Sequence, residues 1–215
     1  MLDNRIFLRA TLAVICCSAF PMIVVGCYFV HIPWNMERLD IGERDLGLAI
    51  LVFGIFFLIS NQFSARFLVP RIGTKIVMSF AMILISFATV LLVIVPNYQL
   101  FLICSIPAGL GWGSSGPIGG IHAQLIEQHS KKIITPYYAM GFNIGIFLGG
   151  ILAAYFLNND FTPWKIFLIL AFLSIAVSSL IYNYSLPKEM DFKGKGEKYK
   201  IPEKKVLIFG LILFI

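Results

Sequence analysis

The sequence predicts an all-α membrane protein with six transmembrane helices. Three observations carry that prediction: an apolar composition, long runs without formal charge, and a lopsided distribution of basic residues. The 215 residues are 59% hydrophobic and 13% charged, with a mean hydropathy of +0.87. Soluble domains carry roughly 25% charged residues, so this chain has too little polar surface to coat a water-soluble globule.

A helix crossing the hydrocarbon core needs about 20 apolar residues. Residues 10–36 and 46–65 contain no Lys, Arg, Asp or Glu, and neither do 76–126, 133–159 and 166–187. The run 76–126 is too long for one span, and PNYQ at 96–99 divides it, since Pro and Asn there favour a turn. The expected spans are 7–30, 46–69, 76–95, 99–125, 133–157 and 164–184. The first is read as a retained helix, because its apolar stretch exceeds a signal-peptide core and no A-x-A site follows. Residues 185–205 read as a charged, glycine-containing linker loop, and VLIFGLILFI at 206–215 as the start of a seventh span. That segment covers roughly 15 Å, half of a bilayer core, so the expectation is a chain truncated at the beginning of helix 7.

Alternation of six spans places Arg5, Arg9, Arg66, Arg71, Lys75, Lys131, Lys132 and the seven lysines after 184 on one side. Only Arg38, Arg44 and Lys165 fall on the other. By the positive-inside rule the basic side, with the N-terminus, is cytoplasmic, in the cell (inner or plasma) membrane. The net charge of +6 is thus spread over topogenic loops, not gathered into a stripe for nucleic acid. Cys16, Cys17, Cys27 and Cys104 lie within apolar runs without metal-type spacing, so neither a metal site nor a disulfide framework is expected. Nucleophile–base constellations, phosphate loops and cofactor motifs are absent from the sequence, and no enzyme chemistry or cofactor is expected.

The turn between the second and third spans reads NQFSARFLVPRIGTK. Its simplest reading is a short basic connection: Arg71 and Lys75 fix orientation, Arg66 snorkels, and Gly73 serves the turn after Pro70. Six spans, this basic turn, a longer charged loop and a seventh apolar segment together resemble the N-terminal half of a major facilitator superfamily transporter. The family's motif G-x-x-x-D-R-x-G-R-R/K corresponds to residues 66–75. Arg71, Gly73 and Lys75 match it, whereas Arg66 stands for the glycine, Pro70 for the aspartate and Thr74 for a basic residue. ISNQ at 59–62 and the glycine-rich run from Ala108 to Gly150 look like the sugar-permease branch that includes fucose permease. Helix 4 lacks the arginine that drug exporters of the superfamily often carry, and Gly116-Pro117-Ile118-Gly119 is read as a kink and close-packing element.

The resemblance implies two inverted three-helix repeats, alternating access, and a solute site near the midplane lined mainly by helices 1 and 4. Candidate cavity residues are Asn143, Tyr28, His122 and Gln124, with His31, Asn61 and Gln62 as further polar groups near span ends. Interhelical hydrogen bonding is the competing reading for each. For His122, at a helix end, interfacial solvation is favoured. Gly141, Gly145 and Gly149 share one helix face at four-residue spacing, a close-packing surface. No Asp or Glu lies within a span, and Asp45 and Glu127 are the nearest, so a proton-coupling acid would belong to the second half of the transporter. The expected partners are a small polar solute, the bilayer, and a C-terminal half or a second copy. The rival reading is a six-span remnant or assembly partner that does not transport, or half of a split transporter.

Overall fold

The computed structural model describes residues 3–191, and within them every regular element is helical. The linker beyond 191 and the expected start of a seventh helix at 206–215 lie outside the described residues. Six helices run in order: α1 Asn4–Leu39, α2 Glu43–Ile72, α3 Thr74–Ile94, α4 Tyr98–Ser130, α5 Thr135–Asn158 and α6 Pro163–Tyr184. Several extend beyond the expected spans, α1 by nine residues at its C-terminal end. Hydropathy delimits what lies in hydrocarbon, whereas a helix can continue into the interface with its backbone bonds intact.

Local chemistry ends the helices where short connections are needed. Asp40 adopts the left-handed conformation (φ 51°) after α1. The Asn97 side chain accepts from Leu100 N–H at 3.0 Å, capping α4. The expected loop at 66–75 is mostly helix instead. Pro70 cannot donate to the Arg66 carbonyl, and the backbone widens into a π-turn over Ser64–Leu68, with Val69 N–H reaching Ser64 O. The helix resumes to Ile72, and Gly73 alone, at φ +84°, turns the chain into α3.

Five of the helices are long and apolar enough to cross a membrane. α4 is not among them, because its middle, GLGWGSSGPIGG, trades apolar side chains for glycine and serine. Most of that middle is buried against neighbouring helices rather than offered to lipid.

The most extensive helix pairs are α1 with α5 and α2 with α4, followed by α3 with α4 and α3 with α6. Exchanging α1, α2, α3 for α4, α5, α6 carries the first pair onto the second and leaves α3–α6 as its own counterpart. The fold is therefore two three-helix repeats wrapped around each other. Because each repeat has an odd number of alternating helices, the second begins on the opposite side and is inverted.

Glycine makes both large pairs possible. Added Cβ atoms at Gly141, Gly145 and Gly149 of α5 would collide with the Ser18 side chain, Ala19 O and Ile23 O of α1, respectively. At Gly109 and Gly113 of α4 they would collide with Phe53 O and Phe57 O of α2. Helix backbones can approach this closely only where side chains are absent. Gly116, expected to be a packing glycine, faces open space, and Gly119 beneath the Tyr138 ring takes that role. α4 remains one helix through Pro107 and Pro117.

At the α4–α5 turn, Glu127 accepts from Ile134 N–H (2.6 Å) and Thr135 N–H (2.7 Å), closing the N-terminus of α5. Those bonds, that from Thr135 first, hold its carboxyl below the usual glutamate range. A depressed carboxylate pKa adds stability above the unfolded value, about 4.3, and that stability is lost as pH falls through the folded value. We expect Glu127→Gln to flatten the acid side of the thermal-stability profile below about pH 5. At neutral pH it should speed tryptic cleavage at Lys131–Lys132. An unchanged acid limb together with unchanged cleavage would contradict this role.

Candidate functional site

A polar side chain at membrane depth must face water or another polar group, and the polar residues here divide accordingly. Tyr28 and His31 belong to the interior formed by α1, α3 and α6. Tyr28 is half-buried and meets the Phe167 ring edge-on at 6.2 Å. His31 is fully buried against the same ring at 5.5 Å. Its Nδ1 lies 2.7 Å from Cys27 O, which only an Nδ1–H can satisfy, and Nε2 has no partner among the described residues.

The same face of α1 continues through Asn35 and Arg38, which the sequence reading did not single out. Asn35 donates to Leu92 O (3.2 Å), and its Oδ1 accepts from Arg38 Nη2 (2.8 Å) and Nε (3.3 Å). Arg38 Nη1 donates to Val95 O at 2.5 Å and the guanidinium rests on Trp34. A cation therefore closes the C-terminus of α3, where the helix dipole favours it. Spacing was the available signal: positions 28, 31, 35 and 38 recur at three and four residues, one helical face.

A second polar group lies where α2 crosses α4. Ser60 Oγ is 2.6 Å from Leu110 O and 2.7 Å from Ser114 Oγ, while Ser64 Oγ is 2.8 Å from Ser114 Oγ. Ser60 can donate to the carbonyl, Ser114 to Ser60, and Ser64 to Ser114. Three hydroxyl protons thus satisfy a chain that joins the two repeats beside Gly113.

His122 departs from the sequence expectation. It is not solvated at an interface but fully buried, with Nδ1 2.6 Å from Thr74 Oγ1 and Nε2 accepting from Leu186 N–H at 3.3 Å. The connection after α6 also departs from a solvated linker at its start, since Leu186 is fully buried and Asp191 nearly so.

Gln124 and Asn143 are exposed, unlike Tyr28 and His122. Gln124 continues a stripe of α4 that is half-buried at Pro107, Leu110, Pro117 and Gly120. Asn143 lies on the side of α5 away from the glycine face, and among the described residues its Nδ2 bonds only its own helix, to Ala139 O at 3.3 Å. Gln62 is exposed on α2, beside Leu58, Ile59, Phe63, Arg66 and Phe67 in a shallow surface groove of about 440 Å³. Asn61 is half-buried on the same helix. The four sequence-selected cavity residues therefore do not converge: two are interior and two stand on uncovered faces. Arg66, Arg71 and Lys75 all lie at the end of the bundle that carries the N-terminus, where Lys75 packs over Tyr182 (4.1 Å) and Arg9 over Tyr184 (5.5 Å). Among the described residues no cluster of His, Cys, Asp or Glu could hold a metal. The four cysteines are unpaired, and Cys27 Sγ donates to Gly149 O at 3.2 Å.

Two inverted three-helix repeats with uncharged spans define a multi-pass membrane protein. Residues 14–215 match the Major Facilitator Superfamily, and the chain belongs to that family of secondary membrane transporters. No individual curated protein matches it.

Proposed function

We propose that the chain is the N-terminal half of a carrier for a small polar solute such as a sugar, working by alternating access. Asn143 supports this reading most directly. It is an exposed amide on a membrane-spanning helix whose side-chain bond goes to its own helix alone. Lipid tails would leave the rest of its bonding capacity unmet, at a cost of about 1–3 kcal/mol per group, whereas a water-filled path would meet it.

The helices that need a cover are related by the repeat. Within the apolar windows, 11% of α2 and 22% of α5 are buried, against 67% of α3. A second six-helix half, or a second copy, seated on α2 and α5 would turn the exposed positions Gln124 of α4 and Asn143 of α5 inward. With no carboxylate in the spans of this half, a coupling proton would be carried by the other half. In this reading the protein crosses the cell membrane with its basic end and N-terminus in the cytoplasm, an orientation supported by the resistance of cationic loops to translocation.

Uptake into vesicles carrying this half together with the second half or copy that covers it tests the site. A saturable flux of a monosaccharide or polyol is expected, and Asn143→Leu should raise its KM about tenfold, the equivalent of one lost hydrogen bond near 1.4 kcal/mol, with membrane abundance unchanged. An unaltered KM in that variant would remove Asn143 from the path.

A further inference from the structure

The segment after α6 grips the turn between α2 and α3 through a buried polar chain. The Asp191 carboxylate stands at the N-terminus of α3. Its Oδ1 accepts from Thr74 N–H (3.2 Å) and from the Thr74 hydroxyl (2.6 Å), and Oδ2 accepts from Lys75 N–H at 3.4 Å. A carboxylate at the first amides of a helix is where those unpaired donors and the dipole favour it. Gly73 has no room for a side chain there, since a Cβ would strike the same carboxylate.

The proton order of the chain is fixed by its ends. Leu186 N–H can only donate, so His122 Nε2 is bare and the proton resides on Nδ1. Nδ1–H then donates to Thr74 Oγ1, whose own proton goes to Asp191. His122 and Thr74 are 0% exposed and Asp191 9%, so each bond is shielded from competing water. Two further contacts join the same elements: Ser79 and Ser178 exchange hydroxyl-to-carbonyl bonds (3.3 and 2.8 Å), and Lys75 covers Tyr182.

We propose that residues 185–191 form a clasp in which Asp191 is the positioning acid of the α2–α3 turn. The clasp holds that turn, through Thr74, to the inner end of α4 at His122. It supplies from the connection after α6 the carboxylate that the turn itself lacks, where Pro70 stands in the acid position of the transporter motif. Movement of that connection is thereby transmitted to the residues that carry Arg71 and Lys75, and to α4 two residues from Gln124. This placement of the clasp in the transport cycle rests on the carrier reading, but the bonds themselves can be tested without it.

Hydrogen exchange of the protein in lipid nanodiscs, read by mass spectrometry, provides the test. Asp191→Ala is expected to speed exchange about tenfold at Thr74, Lys75 and Leu186, as loss of hydrogen bonds to a charged group implies. Asp191→Asn, which keeps an acceptor, should recover much of the protection. Thr74→Val touches Leu186 only through the imidazole, yet should also raise exchange at Leu186. Unchanged exchange at these amides in Asp191→Ala, or an equal rise throughout all six helices, would overturn the proposal. So would Thr74→Val leaving Leu186 unaffected.

Discussion

Replacing Gly145 with valine is expected to abolish stable assembly of α1 against α5. The added Cβ would meet the Ala19 carbonyl and, at 2.6 Å, the Met22 Cβ, so a rigid helix backbone on one side blocks relief by rotamer change. Overpacking in a deformable core costs about 1–3 kcal/mol, and here the branched side chain must push two helices apart along their length. Gly141 and Gly149, one turn away on either side, would lose contact as well. Gly145→Ala should already lower the thermal midpoint in detergent. Gly150→Ala is the matched control: a Cβ there meets nothing within 4 Å, and alanine is the better helix former by up to about 1 kcal/mol. The two alanine variants should therefore move the midpoint in opposite directions. Equal, small effects would mean that the α1–α5 approach is looser than described.

Arg38→Ala is the second large effect. The guanidinium bonds Val95 O and Asn35 Oδ1, and its removal leaves both acceptors short in a region where Asn35 is only 3% exposed. Bonds to a charged donor are worth about 1.5–3 kcal/mol, and part of Arg38 remains open to solvent, which favours the lower end. Lysine keeps the charge and can reach Val95 O, yet it lacks the fork that also serves Asn35. The expected order of thermal midpoints is Arg38, then Arg38→Lys, then Arg38→Ala. A lysine variant as stable as the parent would show that charge at the end of α3, not the fork, carries the effect.

The helices were legible because hydrocarbon imposes a strict rule: spans without formal charge stand out in any sequence that must cross it. The glycine face at 141, 145 and 149 was legible for a related reason, since only small residues at fixed spacing permit backbone contact. The candidate site was less so. Tyr28, His31, Asn35 and Arg38 share one helical face, but sequence does not say whether that face meets a cavity or the bundle interior, and the packing of α3 and α6 decides it. His122 misled for a different reason. Its neighbours Thr74 and Asp191 are 48 and 69 positions away, and no local pattern announces a bond formed between three elements. The basic turn looked like a loop because Pro70 and Gly73 are breakers, yet a π-turn absorbed the proline and left glycine as the whole connection.

The measurement that bears most directly on the transporter account is flux. Sealed vesicles carrying this half together with the second half or copy that covers α2 and α5, preloaded with unlabelled solute and exposed to a labelled panel of monosaccharides, polyols and small organic acids, should show counterflow. The account predicts saturable, transient accumulation of at least one polar solute, abolished by Gly145→Val and weakened by Asn143→Leu. Correctly inserted, stable protein that exchanges none of the panel faster than empty vesicles would contradict it, and would favour an assembly role for the six-helix bundle.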